Sequence, residues 1–228
     1  MTISLTWHGH ATFSLNVNGT RLVVDPFFAG NNPAAKTAVD AVSADYILQT
    51  HGHMDHIADT VSLAKRTGAQ VIANFEIVSW IMKQGHENCH AMNTGGGFNF
   101  PFGRVKMTPA LHSSSLPDGS YGGDPAGYLL TLDGRHIYFA GDTALFSDMG
   151  LIGVVGLDVA VLPIGDNFTM GPDDALLALE YLNPKVVIPA HYNTWPPITV
   201  NVVGWANQVR ANTAVQPLVP AVDEPFVV

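Results

Sequence analysis

Cysteine, positive charge and long apolar runs are scarce in this sequence of 228 residues. Cys89 is the only cysteine, so no internal disulfide forms, which is typical of the reducing cytoplasm. Ten Lys and Arg against nineteen Asp and Glu give a formal net charge of -9 without any basic run, which disfavours nucleic acid or an anionic membrane as main partner. No apolar run approaches the ~20 residues of a membrane span, and the first residues do not read as a signal peptide. We therefore expect a cytoplasmic protein that acts on a small molecule.

Apolar residues, in contrast, are plentiful. Hydrophobic residues make up 47% of the chain and charged residues 13%, which is enough for a sizeable core. We predict a single domain over residues 1–228. The high apolar fraction is also compatible with a homo-oligomer.

The beginning of the chain alternates apolar and polar residues as strands do. The run 3–7 alternates in this way, and continuing the alternation predicts that His8 and His10 face one side. Asn18-Gly19 is a strong hairpin signal between two further strands. The third of these strands is predicted to end at Asp25-Pro26.

Helix signals follow. Ile57, Val61 and Ala64 are spaced for one helix face, with Gly68 as the stop, and Asn74 is a good N-cap for the next helix. We predict a turn at Gly95–Gly97, since neither a Lys-Ser/Thr pair nor a strand-to-helix context makes it a phosphate loop. Apolar strands and two more helices fill the second half, an order that predicts helices packed outside two stacked sheets.

The most informative stretch is the run 50–56, Thr-His-Gly-His-Met-Asp-His. It carries four potential metal ligands, His51, His53, Asp55 and His56, directly after a predicted strand. His51 and His53 lie two residues apart, so in extended backbone both point to the same side and can hold one ion. Asp55 and His56 are placed to hold a second ion, roughly 3.5–4 Å from the first.

Three further ligand-type residues follow apolar strands later in the chain. These are His112, Asp142 and His191, each flanked by small residues. Any one of them alone is more often a satisfied core or strand-end residue than a ligand. Together with the run 50–56 they make a seven-ligand set.

The seven-ligand set resembles that of the metallo-β-lactamase superfamily, and the resemblance spans nearly the whole chain. Four segments resemble more closely a group of small metal-dependent hydrolases related to the ascorbate-lactone hydrolases. They are Trp7–Phe13 (Trp-His-Gly-His-Ala-Thr-Phe), Asp25-Pro26, Thr50–His56 and Phe139–Thr143 (Phe-Ala-Gly-Asp-Thr).

This resemblance implies an α/β fold of the α+β type, a four-layer αββα sandwich with a dinuclear site at one edge. By residue match, His51, His53 and His112 would hold the first metal. Asp55, His56 and His191 would hold the second, and Asp142 would bridge the two.

The chemistry of this donor set agrees with the resemblance. Imidazole and carboxylate ligands without thiolate favour two Zn²⁺ ions, although Mn²⁺ or Fe would also be accepted. Two dications that share a carboxylate lower the pKa of a bound water toward ~7 and so supply hydroxide at neutral pH. We expect hydrolysis without a covalent intermediate, with Asp55 orienting the nucleophile or moving its proton.

Two other residues near the seven-ligand set, His10 and Asp25, have two possible roles each. His10 is assigned a catalytic role beside the metals, either behind a ligand or on the substrate, and its alternative is a hydrogen-bonded strand-end histidine. Asp25 either accepts the free ring N–H of a ligand histidine or is a turn residue before proline. Tyr192 and Trp195 are expected to line the substrate mouth. A serine nucleophile among residues 113–115 is disfavoured because no Gly-x-Ser-x-Gly elbow exists.

Several functions are compatible with this sequence. The hydrolase would cleave a lactone, an amide or a phosphodiester, and the lack of a basic cluster favours the first two. One alternative is a di-iron redox protein, for which the resemblance would predict a carboxylate at His53 and an appended flavin domain that 228 residues cannot hold. A second alternative is a metal-binding protein without turnover. A nuclease is disfavoured by the acidic charge.

Overall fold

The structure, a computed structural model, describes residues 3–228 and contains two seven-stranded sheets. In spatial order, the first sheet is made of β14 (Pro225–Val227), β1 (Ile3–Trp7), β2 (Phe13–Val17), β3 (Thr20–Val24), β4 (Tyr46–Leu48), β5 (Gln70–Asn74) and β6 (Cys89–Met92). The second sheet is made of β13 (Gln216–Pro217), β12 (Val186–Ala190), β11 (Val159–Pro163), β10 (Arg135–Phe139), β9 (Ala126–Leu132), β8 (Gly103–Pro109) and β7 (Gly97–Phe100).

Six α-helices accompany the sheets. They are α1 (Met54–Ile57), α2 (Thr60–Thr67), α3 (Phe75–Lys83), α4 (Met149–Gly153), α5 (Pro172–Leu182) and α6 (Val202–Asn212). Short 3₁₀ turns occupy Val39–Ala41 and Pro196–Ile198. Among residues 3–228, none of these helices combines the length and the apolar character needed to cross a membrane.

The buried residues fall into two clusters that explain the layers. The larger cluster joins the two sheets face to face and includes Leu5, Phe13, Tyr128 and Phe139. The smaller cluster packs α2 and α3 against the other face of the first sheet. Helices α5 and α6 contribute buried residues to the larger cluster, beside the second sheet. The predicted αββα sandwich is therefore confirmed.

Local sequence explains most of these elements. Asn18 and Gly19 take φ of 52° and 93° between β2 and β3, as a type I′ hairpin turn requires. Asn74 caps α3 by accepting the N–H of Ile77 through its side chain. Gly68 ends α2 in the left-handed conformation.

The single helix predicted from Ile57 through Ala64 is wrong, because the chain breaks it after α1. Asp59 lies in the break, and its carboxylate accepts the N–H of Phe28 and the side-chain amide of Asn31. Its own N–H donates to the carbonyl of Pro26. These three bonds tie the break to the loop after β3, which spacing along the helix cannot reveal.

The predicted turn at Gly95–Gly97 is only partly correct. The chain turns at Thr94 and Gly95, whereas Gly97 already belongs to β7 and pairs with Lys106. Strands β6, β7, β13 and β14 and helix α4 were not predicted.

The direction in which the strands run decides where the site lies. Strands β1, β3 and β4 run the same way in the first sheet, and β8, β10 and β12 run the same way in the second. The segment after each of these strands carries one of the predicted functional residues. The carboxyl ends of the strands therefore bring residues far apart in sequence to one edge of the sandwich.

Candidate metal centre

The structure brings all seven predicted ligands together at this edge. The first sheet supplies His51, His53, Asp55 and His56 after β4, and the second sheet supplies His112 after β8, Asp142 after β10 and His191 after β12. The centre therefore lies between the two sheets and needs both of them.

The ligand atoms of His51, His53 and His112 lie within 4.8 Å of one another, and we call these three residues the outer group. Nε2 of His51 and Nδ1 of His53 converge to 3.0 Å. His53 and His112 are half-buried, whereas His51 is fully buried. This arrangement offers three ring nitrogens to one ion from a position that solvent reaches.

Asp55, His56 and His191 form a second cluster, which we call the inner group; His10 lies within the same 4.8 Å. His56 and His191 are buried, and Asp55 is half-buried. Oδ2 of Asp55 lies 3.8 Å from Nε2 of each of these two histidines. A carboxylate thus accompanies two imidazoles here, unlike in the outer group.

Asp142 lies between the groups and is itself buried. Its Oδ2 is 3.0 Å from Nε2 of His191 and 3.3 Å from that of His56. The same oxygen is 3.6 Å from Nε2 of His112 and 4.0 Å from that of His51. One carboxylate oxygen therefore faces imidazole nitrogens of both groups.

Asp25 explains why the ligand nitrogens are free. It is buried, and its Oδ2 accepts the Nδ1–H of His56 at 2.8 Å and the hydroxyl of Thr50 at 2.6 Å. Because that hydroxyl donates to Asp25, it accepts the Nδ1–H of His51 at 3.0 Å. Both histidines therefore keep an Nε2 lone pair directed into the centre.

Asp25 is not itself a good candidate ligand, although one of its oxygens lies within 4.8 Å of nitrogens of His51 and His56. Its Oδ1 also accepts the N–H of Thr50 and the side-chain amide of Gln49. These bonds use its lone pairs. Asp25 thus orients the two histidines, and these hydrogen bonds are the ones that the first of its two predicted roles requires.

The donor set fits a metal. His56 Nε2 and Asp142 Oδ1 are buried without a hydrogen-bond partner, which is costly unless something else is bound there. Imidazoles and carboxylates without thiolate suit Zn²⁺ and accept Mn²⁺ or Fe. Cys89, on β6, is not in any of the clusters found among residues 3–228.

The two groups differ in their pKa values. In the outer group, burial lowers the pKa of all three histidines. Burial alone would do the same in the inner group, but the carboxylates of Asp142 and Asp55, joined by Asp25 at His56, together outweigh burial for both histidines. They raise the pKa of His56 well above its ordinary value and that of His191 to about 9. Positive charge therefore gathers in the inner group when no metal is bound.

Asp55 responds to the same field. Burial would raise its pKa, but His56 and the hydrogen bond from His10 outweigh burial and hold that pKa far below its ordinary value. The carboxylate therefore stays ionised across the physiological range.

The prediction that His8 and His10 face one side is wrong. Strand β1 ends at Trp7, and Gly9 and His10 take φ of 89° and 54°, which turns the chain. His8 contacts Asp223 and Ser14 at 2.5 and 2.8 Å, away from the ligands. His10 instead lies beside Asp55.

Of the two aromatic residues expected at the substrate mouth, only Trp195 is placed for that role. Trp195 is half-buried and lies edge-on against His10, with ring centroids 4.9 Å apart. Tyr192 is buried and stacks on Trp7 at 5.3 Å, so that expectation was wrong. The left-handed φ of 53° at His191 turns the chain there, which alternation does not predict.

The contacts of three hydroxyl residues at the site were not predicted from sequence, although Ser113 was weighed there as a nucleophile. The hydroxyl of Thr50 connects Asp25 to His51. Oγ of Ser113 lies 3.3 Å from Nε2 of His53, and Oγ1 of Thr194 lies 2.8 Å from Nδ1 of His10. Each is a near neighbour in sequence of a predicted ligand, and that proximity is the only signal that pointed to them. Ser113 holds the far nitrogen of His53, which leaves Nδ1 toward the outer group.

Comparison with known proteins supports this description. The family model of the β-lactamase superfamily domain matches residues 20–192, a range that contains every ligand of both groups and Asp142. A UPF0173 metal-dependent hydrolase of Thermus thermophilus is 51% identical over 208 residues, covering 91% of this chain and 92% of that protein. A UPF0173 metal-dependent hydrolase of Shouchella clausii is 50% identical over 202 residues, covering 86% and 88%.

A solved structure is similar along the entire chain. It is that of Igni18, a metallo hydrolase from the hyperthermophilic archaeon Ignicoccus hospitalis, with a TM-score of 0.91 and 34% sequence identity. The match covers 100% of this chain and 99% of that one.

Proposed function

From the premise that this chain belongs to the β-lactamase superfamily and is a metal-dependent hydrolase, we propose a dinuclear enzyme that cleaves a lactone or amide. The outer group would hold one ion, the inner group the other, and Asp142 would bridge them. Zn²⁺ is the metal we expect, with Mn²⁺ or Fe as alternatives.

The observation that carries the proposal is the position of Asp142. A single carboxylate oxygen lies 3.0–4.0 Å from four imidazole nitrogens that belong to two separate groups. A structural salt bridge would need one partner, whereas two ions sharing a ligand need this convergence.

Bound metal ions would supply Lewis-acid polarisation of the substrate oxygen and a lowered pKa for a bound water. Asp55 would orient the attacking water. Its Oδ2 accepts from Nε2 of His10, which leaves Oδ1 for this purpose. Because its pKa is held so low, Asp55 suits the role of ligand and hydrogen-bond acceptor better than that of proton carrier.

The surroundings of the centre favour a neutral substrate. None of the ten Lys and Arg side chains, all of which lie in the described part of the chain, forms a hydrogen bond or ion pair with a ligand of either group. Exposed apolar side chains lie next to ligands in sequence, Met54 between His53 and Asp55 and Leu111 before His112. A phosphodiester would lack a cation other than the metals, so a lactone or amide is the better fit.

The same surroundings support a small molecule as partner, rather than nucleic acid or a membrane surface, given the net charge of -9. We also propose a kinship to the ascorbate-lactone hydrolases, which is suggested by the four segments Trp7–Phe13, Asp25-Pro26, Thr50–His56 and Phe139–Thr143, and a cytoplasmic location.

Elemental analysis of protein purified without chelator or affinity metal tests the proposal. It is run beside hydrolysis of a generic lactone, a simple amide, a β-lactam and bis-p-nitrophenyl phosphate. We expect two equivalents of Zn or Mn and chelator-sensitive cleavage of the lactone or amide. Two equivalents of iron without cleavage would favour the redox alternative, and no metal even after reconstitution would overturn the dinuclear centre. Cleavage of the phosphodiester alone would overturn the substrate class.

A further inference from the structure

His10 lies behind the inner group, and its side chain is fully buried. Its Nε2 lies 3.0 Å from Oδ2 of Asp55, and its Nδ1 lies 2.8 Å from Oγ1 of Thr194. Its ring packs against that of His191, with centroids 4.1 Å apart. These contacts link His10 to Asp55 and His191 of the inner group. Which ring nitrogen of His10 carries the proton therefore decides whether His10 donates a hydrogen bond to Asp55 or offers a lone pair to a metal.

The contacts select one tautomer. The carboxylate oxygen of Asp55 at 3.0 Å is a hydrogen-bond acceptor, so the nitrogen of His10 that faces it carries the proton. The hydroxyl of Thr194 then donates to Nδ1. In the reverse tautomer, two lone pairs would face each other at 3.0 Å, and the hydroxyl of Thr194 would have to donate to the carbonyl of Tyr192 at 3.5 Å, the limit for such a bond.

The main chain of His10 also contacts His191. Its carbonyl accepts the N–H of His191 at 2.9 Å and the indole N–H of Trp7 at 3.0 Å. His10 and His191 both have left-handed φ, 54° and 53°, which non-glycine residues adopt at a cost. The bond between them holds two unfavourable conformations in place at the edge where the sheets meet.

We propose that His10 is a positioning residue that builds the inner metal position without being one of its ligands. Its Nε2–H fixes the rotamer of Asp55, its carbonyl fixes the turn at His191, and Thr194 fixes its tautomer. The side chain of Asp55 is partly exposed. Without the hydrogen bond from His10 it would lose rotamer freedom on binding metal, which would weaken binding. The inference deepens the proposed function and rests on its inner metal position.

The test compares Thr194→Val, which keeps shape but removes the hydroxyl, with Thr194→Ser, which retains it. Zn²⁺ is titrated into each metal-free protein and thermal unfolding is recorded. We expect Thr194→Val to weaken one of two equivalents about tenfold with little change in Tm, and Thr194→Ser to behave as the parent. Thr213→Val is the matched control, because its hydroxyl donates to the carbonyl of Val209 and accepts the N–H of Val215 at the end of α6, and neither bond involves a ligand of either group.

Imidazole ¹⁵N NMR of the metal-free protein gives a readout that needs neither metal nor activity, with His10→Gln used to assign the signals. We expect the Nε2–H tautomer at His10 in the parent and a shifted Nδ1 signal in Thr194→Val. An Nδ1–H tautomer would overturn the proposal and make His10 a further ligand.

The metal titrations separate the two proposals. If His10→Gln loses an equivalent as completely as Asp55→Ala does, His10 is a ligand and the positioning role is overturned. If the parent binds two equivalents and Thr194→Val binds both normally, the positioning role also falls while the dinuclear centre stands. If the parent never binds a second equivalent, the dinuclear centre is overturned, and the positioning role with it.

Discussion

The outer and inner groups use similar ligands but in different environments. The outer group contains three histidines, two of them half-buried, and its nearest carboxylate is Asp142. The inner group contains two buried histidines and a carboxylate of its own, Asp55, and His10 supports it from behind. The comparison teaches that the inner group is built by the protein interior, whereas the outer group is open to solvent.

The two groups also divide the charge. Without metal, the inner histidines compete with one another for protons drawn in by Asp142, while the outer histidines stay neutral. Since ligands must be deprotonated before they bind metal, we expect loading of the proposed inner metal position to depend on pH more than loading of the outer one.

Removing Asp142 should abolish the difference between the outer and inner groups and give the largest loss of metal and activity. Asp142→Ala takes away the oxygen shared by both groups, so we expect loss of at least one metal equivalent and a fall in activity of more than ~100-fold, beyond the effect of losing a residue behind a ligand. Metal content of the purified variant is the measurement. Asp45→Ala, which removes an exposed partner of Arg21, is the control and should keep both equivalents. Unchanged stoichiometry in Asp142→Ala would refute the bridging role.

Changing Asp25 should weaken both groups, but less. In Asp25→Asn an amide would meet the hydroxyl of Thr50 and the Nδ1–H of His56, which are donors, so His51 and His56 would both lose their orientation. We expect each metal affinity to fall roughly 10–100-fold, measured by competition with a chromophoric chelator.

Asp59→Asn is the matched control for that variant. Asp59 is also a buried carboxylate that accepts from the loop after β3, yet none of its hydrogen bonds reaches a ligand. Its substitution should lower stability and leave metal affinity intact. If Asp25→Asn weakened the inner position alone, the path through Thr50 to His51 would be wrong.

A pH series on metal-free protein should give the smallest effect. The folded pKa of His191, about 9, lies above the unfolded value of 6.5, so its stabilising contribution is complete below pH 6.5 and is lost as pH rises through about 9. We expect the free energy of unfolding to drop by roughly 1–2 kcal/mol over this window, less than the full shift implies, because water enters a pocket without metal. Urea titrations between pH 6 and 9.5 measure it. His191→Gln should flatten the dependence, and a rise in stability over this window would contradict the division of charge.

Much of the centre was predictable because its ligands follow strand ends in recognisable motifs. His51, His53, Asp55 and His56 lie within six residues, so local spacing already indicates convergence. Asn18-Gly19 and Asn74 likewise act locally, as turn and cap, and both were predicted correctly. The order of strands and helices already predicted helices outside two stacked sheets, and the resemblance of these motifs to a known family added the four-layer αββα sandwich.

What escaped prediction depends on contacts between distant segments. The break between α1 and α2 is fixed by bonds from Asp59 to the loop after β3. The separation of His8 from His10 needs the left-handed turn that His191 helps to hold. Thr194 meets His10 only because the two sheets come together, so no pattern within either segment could reveal the contact.

The order of the ligands along the chain has a consequence for biosynthesis. During synthesis from the N-terminus, His51 to His56 emerge well before Asp142 and His191, and β14 pairs with β1 only when almost the whole chain has been made. Until then, a metal captured by the first histidines would be held by one sheet alone and would exchange freely with its surroundings. In the proposed centre, the ion would therefore be selected only after ligands from both sheets have come together, and the ion retained there would join the two sheets.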